Sequence, residues 1–137
     1  MNILFICKHN VFRSRAAEAY FKKINKNKKI KVTSAGVLTG TNIKPSLNER
    51  KALKEQGIKI ILKPKNATVP LLKKQDLVII VADDVPLKLF NNKDYVKKVI
   101  HWRIPDVLDN SKEKSTKTVN LIKKRVEKLE KELNRNK

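Results

Sequence analysis

The sequence is poor in several residue types, and each shortage removes a class of protein. There is one cysteine in 137 residues. It cannot form an internal disulfide, so a disulfide-stapled secreted scaffold is excluded and a reducing, cytoplasmic setting is expected. Glycine occurs three times, which excludes glycine-rich low-complexity and collagen-like chains. Aromatic residues make up 5%, too few to interleave with basic residues as in a single-strand nucleic-acid platform. No apolar run approaches the roughly 20 residues of a membrane-spanning helix. The N-terminus has no charged stretch followed by a long apolar run, so no secretory signal is expected. Acidic residues number 13 against 33 basic ones, giving a formal charge of +20.

That charge has two readings. Basic residues neutralise phosphates, so nucleic-acid binding is one. The lysines, however, are spread along the whole chain and fall in no recognisable nucleic-acid module. A solvated lysine-rich surface, with only non-specific attraction to nucleic acid, is the better reading. Such a field still draws in a dianionic substrate. The length fits one domain over residues 1–137, able to bury its own core.

The pattern alternates strands and helices. Ile3-Leu4-Phe5-Ile6 is a short buried strand over 2–6. A helix follows over about 13–25, with Ala16, Ala17, Tyr20, Phe21 and Ile24 at helical spacing. A second strand covers about 30–34 and ends at Ala35-Gly36. Pro45 reads as the start of a helix that Gly57 stops, after a loop containing Gly40. Residues 58–62 form an extended connection or minor strand. A short helix is expected near 68–74. Leu77 to Val81 is the clearest buried strand, β-branched and uninterrupted. A short helix over 85–90 and a strand over 95–100 follow. His101 to Asp109 reads as a loop. The last helix spans about 112–134, with Val119, Ile122, Val126, Leu129 and Leu133 on one stripe that packs against the sheet. This order predicts a three-layer α/β/α sandwich with a four-stranded parallel sheet. Ligands in such folds sit at the carboxyl ends of the strands.

One loop lies there and carries chemistry: Cys7-Lys8-His9-Asn10-Val11-Phe12-Arg13-Ser14. A thiol between a strand end and a helix start is favoured as thiolate by backbone N–H groups and the helix dipole. The same groups favour a tetrahedral oxyanion. Arg13 adds a planar fork for two of its oxygens. Asp83 and Asp84 read as strand-end and helix-start residues. His101 and Trp102 either flank the pocket and stack on an aromatic substrate or pack beneath the loop. No ligand cluster has metal spacing, so no metal or other cofactor is expected.

The loop, Ser34-Ala35-Gly36, the segment Leu53 to Ile58, the strand led by Asp76 and the stretch Trp102 to Asp106 resemble, in order, the low-molecular-weight protein tyrosine phosphatase family, which also contains arsenate reductases. The resemblance implies a phosphotyrosine-phosphatase-I-like fold and a two-step phosphoryl transfer. Cys7 is then the nucleophile, and the backbone of residues 8–13 with Arg13 holds the phosphate. Asp106 is the proton donor, and Asn10, Ser14 and Ser34 are supports. The implied partner is a phosphorylated protein, a small aryl phosphate ester or another tetrahedral oxyanion. An arsenate reductase drawing on an external thiol is the alternative, and a phosphate- or phosphopeptide-binding module of low activity is a third reading. The chain departs from the family pattern at His9 for glycine, where backbone strain is expected if the site needs an unusual conformation, at Phe12 for cysteine, and at Val107 for proline. Asp109 is the alternative proton donor.

Overall fold

The computed structural model describes residues 1–39, 44–60, 63–106 and 111–135. The chain runs β1 (Asn2–Cys7), α1 (Arg13–Ile24), β2 (Lys31–Gly36), α2 (Leu47–Glu55), α3 (Val69–Lys73), β3 (Leu77–Val81), a 3₁₀ turn (Leu87–Phe90), β4 (Val99–Trp102) and α4 (Lys112–Asn134). The sheet order is β2-β1-β3-β4. Every pairing is parallel, so the expected four-stranded α/β architecture is the one observed.

Strand alternation explains why the two central strands are buried on both faces. Ile3 and Phe5 of β1, with Leu77, Ile79 and Val81 of β3, point to one side. There they meet Ala16, Ala17, Tyr20 and Phe21 of α1, and Val119, Ile122, Val126 and Leu129 of α4. Leu4 and Ile6, with Val78 and Ile80, point to the other, where Leu72 of α3, Phe90 and Val96 cover them. Each fully buried aliphatic side chain contributes about 1.5–3 kcal/mol. The α4 stripe therefore belongs to the core, and Tyr20 adds a hydrogen bond to Glu127 Oε2 at 2.5 Å that ties α4 to α1.

Three expectations are corrected. Helix α2 starts at Leu47, not Pro45, because Ser46 caps it. Ser46 Oγ accepts from Glu49 N at 3.1 Å, and Glu49 Oε1 accepts from Ser46 N at 2.8 Å, a reciprocal capping box. The fourth strand is Val99–Trp102, not residues 95–100. Asn92 folds the earlier residues into a turn, its Oδ1 accepting from Asp94 N and its carbonyl from Val96 N. Register with β3 pairs Ile100, His101 and Trp102 with Ile79, Ile80 and Val81. Hence His101 and Trp102 are strand residues rather than loop. No strand forms over residues 58–60; residues 61–62 and Gly40 lie outside the described residues.

Candidate active site

The parallel sheet brings the carboxyl ends of β1, β2, β3 and β4 to one edge, and the loop 8–12 turns there from β1 into α1. Two backbone bonds stitch this loop to the chain leaving β2: Val37 N donates to Cys7 O at 3.2 Å and Leu38 N to Lys8 O at 2.8 Å. The approach is so close that a Cβ on Gly36 would lie 2.9 Å from both Asn10 N and His9 C. Glycine is required here for contact, not for an unusual φ.

The unusual φ belongs to Asn10. At +56° it is the one non-glycine residue in the left-handed region among the described residues. Asparagine tolerates that region better than other side chains. Its side chain is fully buried and saturated. Nδ2 donates to Ser14 Oγ at 2.8 Å and to Ser34 Oγ at 2.9 Å, and Oδ1 accepts from Lys65 N at 3.1 Å. The direction of the remaining protons follows. Ser34 is an acceptor from Asn10, so its own hydrogen goes to Glu18 Oε1, 2.5 Å away. Ser14 is likewise an acceptor from Asn10, so its hydrogen is free to point at Cys7 Sγ, 2.9 Å away. Asn10 thus orients a donor onto the sulfur, an arrangement that favours thiolate.

The position of His9 needs no unusual backbone conformation, since its φ is not positive, so histidine is not strained there. Its Nδ1–H donates to Leu38 O at 2.7 Å. Val11 and Phe12 are buried, and Phe12 joins the core on the α1 side. These two residues therefore offer the site their backbone rather than their side chains.

Phe12 is the N-cap of α1, and no side chain caps that end; its first turn holds no acidic residue. The first N–H groups of a helix need partners from elsewhere, and an oxyanion supplies them. Arg13 is buried, 4% exposed. Its Nη1 donates to Ile104 O and its Nη2 to Asp84 Oδ1, each at 2.9 Å, and Asp83 Oδ1 stands 3.7 Å from Nη1. A guanidinium has more donors than the two used here, in a fixed fork. Asp83 and Asp84 are therefore part of the site, a role the sequence reading missed. The available signal was an acidic pair directly after the most buried strand of a chain so short of acids.

Asp106 is exposed and lies two residues beyond Ile104, whose carbonyl Arg13 holds. Glu49, at the start of α2, lies within electrostatic reach of both. Burial pushes its carboxyl up, the hydrogen bonds from Ser46 pull it down, the Asp106 charge raises it further and Arg13 lowers it. Helix α2 is thus coupled electrostatically to the site, a link that no motif pointed to. Val107 and the alternative donor Asp109 lie outside the described residues. Trp102 is 5% exposed, with its ring 5.9 Å from that of Phe5, so it is core and not a stacking platform. His101 Nε2–H donates to Ala82 O at 2.6 Å.

Among the described residues no group of three or more His, Cys, Asp or Glu could hold a metal ion. No described helix is long and apolar enough to cross a membrane. A cavity of about 380 Å³ runs beside the C-terminal end of α2, along Leu53, Gly57 and Ile58, and touches none of the loop residues.

The sequence pattern of the low molecular weight phosphotyrosine protein phosphatases matches residues 2–137. The chain belongs to that family. Solved structures of similar fold include the YwlE arginine phosphatase in a cysteine-to-serine form with a phosphorylated active-site serine (26% identity, TM-score 0.83, covering 100% of this chain and 98% of that one). An arsenate reductase from Archaeoglobus fulgidus is 28% identical, with a TM-score of 0.72 over 93% of this chain and 98% of that one. A low molecular weight protein tyrosine phosphatase from T. tengcongensis is 26% identical, with a TM-score of 0.78 over 94% and 97%. No curated protein sequence matches the chain. As a low molecular weight phosphatase, the protein keeps its cysteine, arginine and serine within eight consecutive residues, from the end of β1 to the first turn of α1, and departs in lacking a second cysteine.

Proposed function

We propose that this phosphatase hydrolyses phosphomonoesters of the aryl or phosphotyrosine type through a phosphocysteine intermediate. The observation that carries the reading is the Ser14 hydroxyl turned onto Cys7 Sγ by Asn10, at the uncapped start of α1. The Cys7 thiolate attacks phosphorus, and the bond to the leaving oxygen breaks. Backbone N–H groups of residues 8–13 and Arg13 hold the three remaining oxygens as negative charge gathers on them. Asp106 gives its proton to the leaving oxygen, then takes one from the water that cleaves the sulfur–phosphorus bond. In that second step the Ser14 hydroxyl stabilises the departing sulfur. The phosphorylated serine of the YwlE relative supports a phosphate acceptor at the corresponding nucleophile.

The direct experiment is p-nitrophenyl phosphate turnover for the wild type and Cys7→Ser, followed by pH–rate profiles for Asp106→Asn and Asp109→Asn. The reading expects Cys7→Ser to be inactive and the basic limb to change in Asp106→Asn alone. The likeness to an arsenate reductase favours one second reading. With Cys7 as its sole cysteine, the chain would need an external thiol to finish each reduction. A wild type that is inert towards the aryl phosphate but reduces arsenate with added thiol would replace the phosphatase reading.

A further inference from the structure

Arg15 sits where a cation is least welcome. It is the third residue of α1, at the positive end of the helix dipole, and its side chain is only 9% exposed. Its protein partners do little to compensate. Nε reaches Asn10 O over a long 3.4 Å, and Nη1 stands 3.9 Å from Glu18 Oε1. Nη2 is buried with no hydrogen-bond partner among the described residues. Glu18 is shared, since Oε2 takes Lys22 at 2.6 Å and Oε1 takes the Ser34 hydroxyl. A buried, poorly paired guanidinium is costly and calls for a reason. After Glu18, the group whose charge acts on it is Cys7.

The other charges around the loop sharpen the point. Arg13 is already countered by Asp84 and, at longer range, Asp83. Lys59, from the segment after α2, lines the same small cavity as Arg15, Glu18 and Lys22. Lys22 is taken by Glu18. This leaves Arg15 as the buried cation beneath the loop whose charge is incompletely matched. Burial lowers its proton affinity, an effect that the charges of Glu18 and then Cys7 oppose without cancelling.

We propose that Arg15 is a positioning residue of the phosphate loop: from below, it holds the left-handed Asn10 peptide by its carbonyl and supplies a second buried positive charge that stabilises the Cys7 thiolate. This rests on Cys7 being the nucleophile, but its test needs no turnover. The rate of iodoacetamide alkylation against pH gives the midpoint of Cys7 ionisation in the wild type, Arg15→Gln and Arg15→Lys. Arg15→Gln is expected to raise the midpoint by about one pH unit, which slows alkylation below it about tenfold. Arg15→Lys should recover most of that shift. kcat for an aryl phosphate should fall more than KM rises. A purely structural role would lower the melting temperature and leave the midpoint in place, and a folded Arg15→Gln with the wild-type midpoint overturns the proposal. Should Arg15→Gln not fold, nitrogen NMR of the wild type decides. The Arg15 Nε resonance must follow pH with the Cys7 midpoint and lose that dependence in Cys7→Ser, and a pH-invariant resonance overturns the proposal. A wild-type Cys7 that ionises like a free thiol, near pH ~8.5, would instead overturn the proposed function.

Discussion

Replacing Asn10 separates two contributions that the loop combines. Asn10→Ala removes three side-chain hydrogen bonds, to Ser14, Ser34 and Lys65 N, from a fully buried position. Each contributes about 0.5–1.5 kcal/mol net, and the stranded Lys65 N–H costs further if water cannot reach it. The φ of +56° adds a conformational cost of about 1 kcal/mol for alanine. The sum is about 3–5 kcal/mol, a large part of the stability of a small domain. Asn10→Gly loses the same three bonds but accepts the left-handed φ without strain. It should therefore be more stable than Asn10→Ala by about 1 kcal/mol, although glycine is normally the more costly of the two. Urea unfolding of both variants, followed by circular dichroism, measures the difference. Both should also lose most aryl phosphatase activity, because Ser14 is no longer oriented onto Cys7. An Asn10→Gly variant less stable than Asn10→Ala, or an Asn10→Ala cost below 1 kcal/mol, would refute the reasoning.

Three further outcomes follow from other contacts. Asp84→Ala removes the 2.9 Å partner of Arg13. It should lower kcat/KM for an aryl phosphate about tenfold, the equivalent of one charge-assisted hydrogen bond that orients the fork; steady-state kinetics checks it. Gly36→Ala would place a methyl group 2.9 Å from loop backbone that cannot step aside. A loss of about 1–3 kcal/mol with reduced activity is expected, read by thermal unfolding and turnover. Burial and then Glu127 push the Tyr20 phenol up to about 12. The folded state keeps that proton longer than the unfolded chain, so the stabilisation is complete below pH ~10 and fades as pH rises towards 12. Stability of Tyr20→Phe against pH should decline less than the wild type across that window.

The elements legible in the sequence are those whose pattern is local. The stripe on α4 shows its length and its buried face without help from the rest of the chain. The apolar runs of β1 and β3 show that both faces are covered, and the alternation fixes their parallel pairing. Local pattern misled where a neighbour of different chemistry was more conspicuous. Pro45 drew attention from Ser46 and Glu49, whose spacing is itself a capping signature. Tyr95 and Val96 look like strand, but Asn92 captures their backbone in a turn. Trp102 was open to two readings because burial is decided by register with β3.

The site divides along the same line. Cys7, Arg13 and Ser14 flank one short loop, so their proximity is readable. Ser34 came with the family resemblance, and its bond to Asn10 spans 24 positions. Asp83 and Asp84 reach Arg13 across 70 and 71 positions, and Glu49 acts on Arg13 and Asp106 from a separate helix. Long-range electrostatic partners of this kind leave no periodic trace. The condition attached to His9 is not met: the left-handed turn is made by the asparagine that follows it.

The central claim is that Cys7 carries the phosphate during turnover. Acid quenching of the enzyme during steady-state hydrolysis of radiolabelled phosphotyrosine, followed by peptide mapping, tests it directly. The account predicts label on the peptide containing Cys7, present in the wild type, increased in Asp106→Asn when an activated aryl phosphate is used, and not replenished through turnover in Cys7→Ser. Wild-type turnover with no labelled peptide, or a Cys7→Ser variant that hydrolyses the substrate at the wild-type rate, would contradict it.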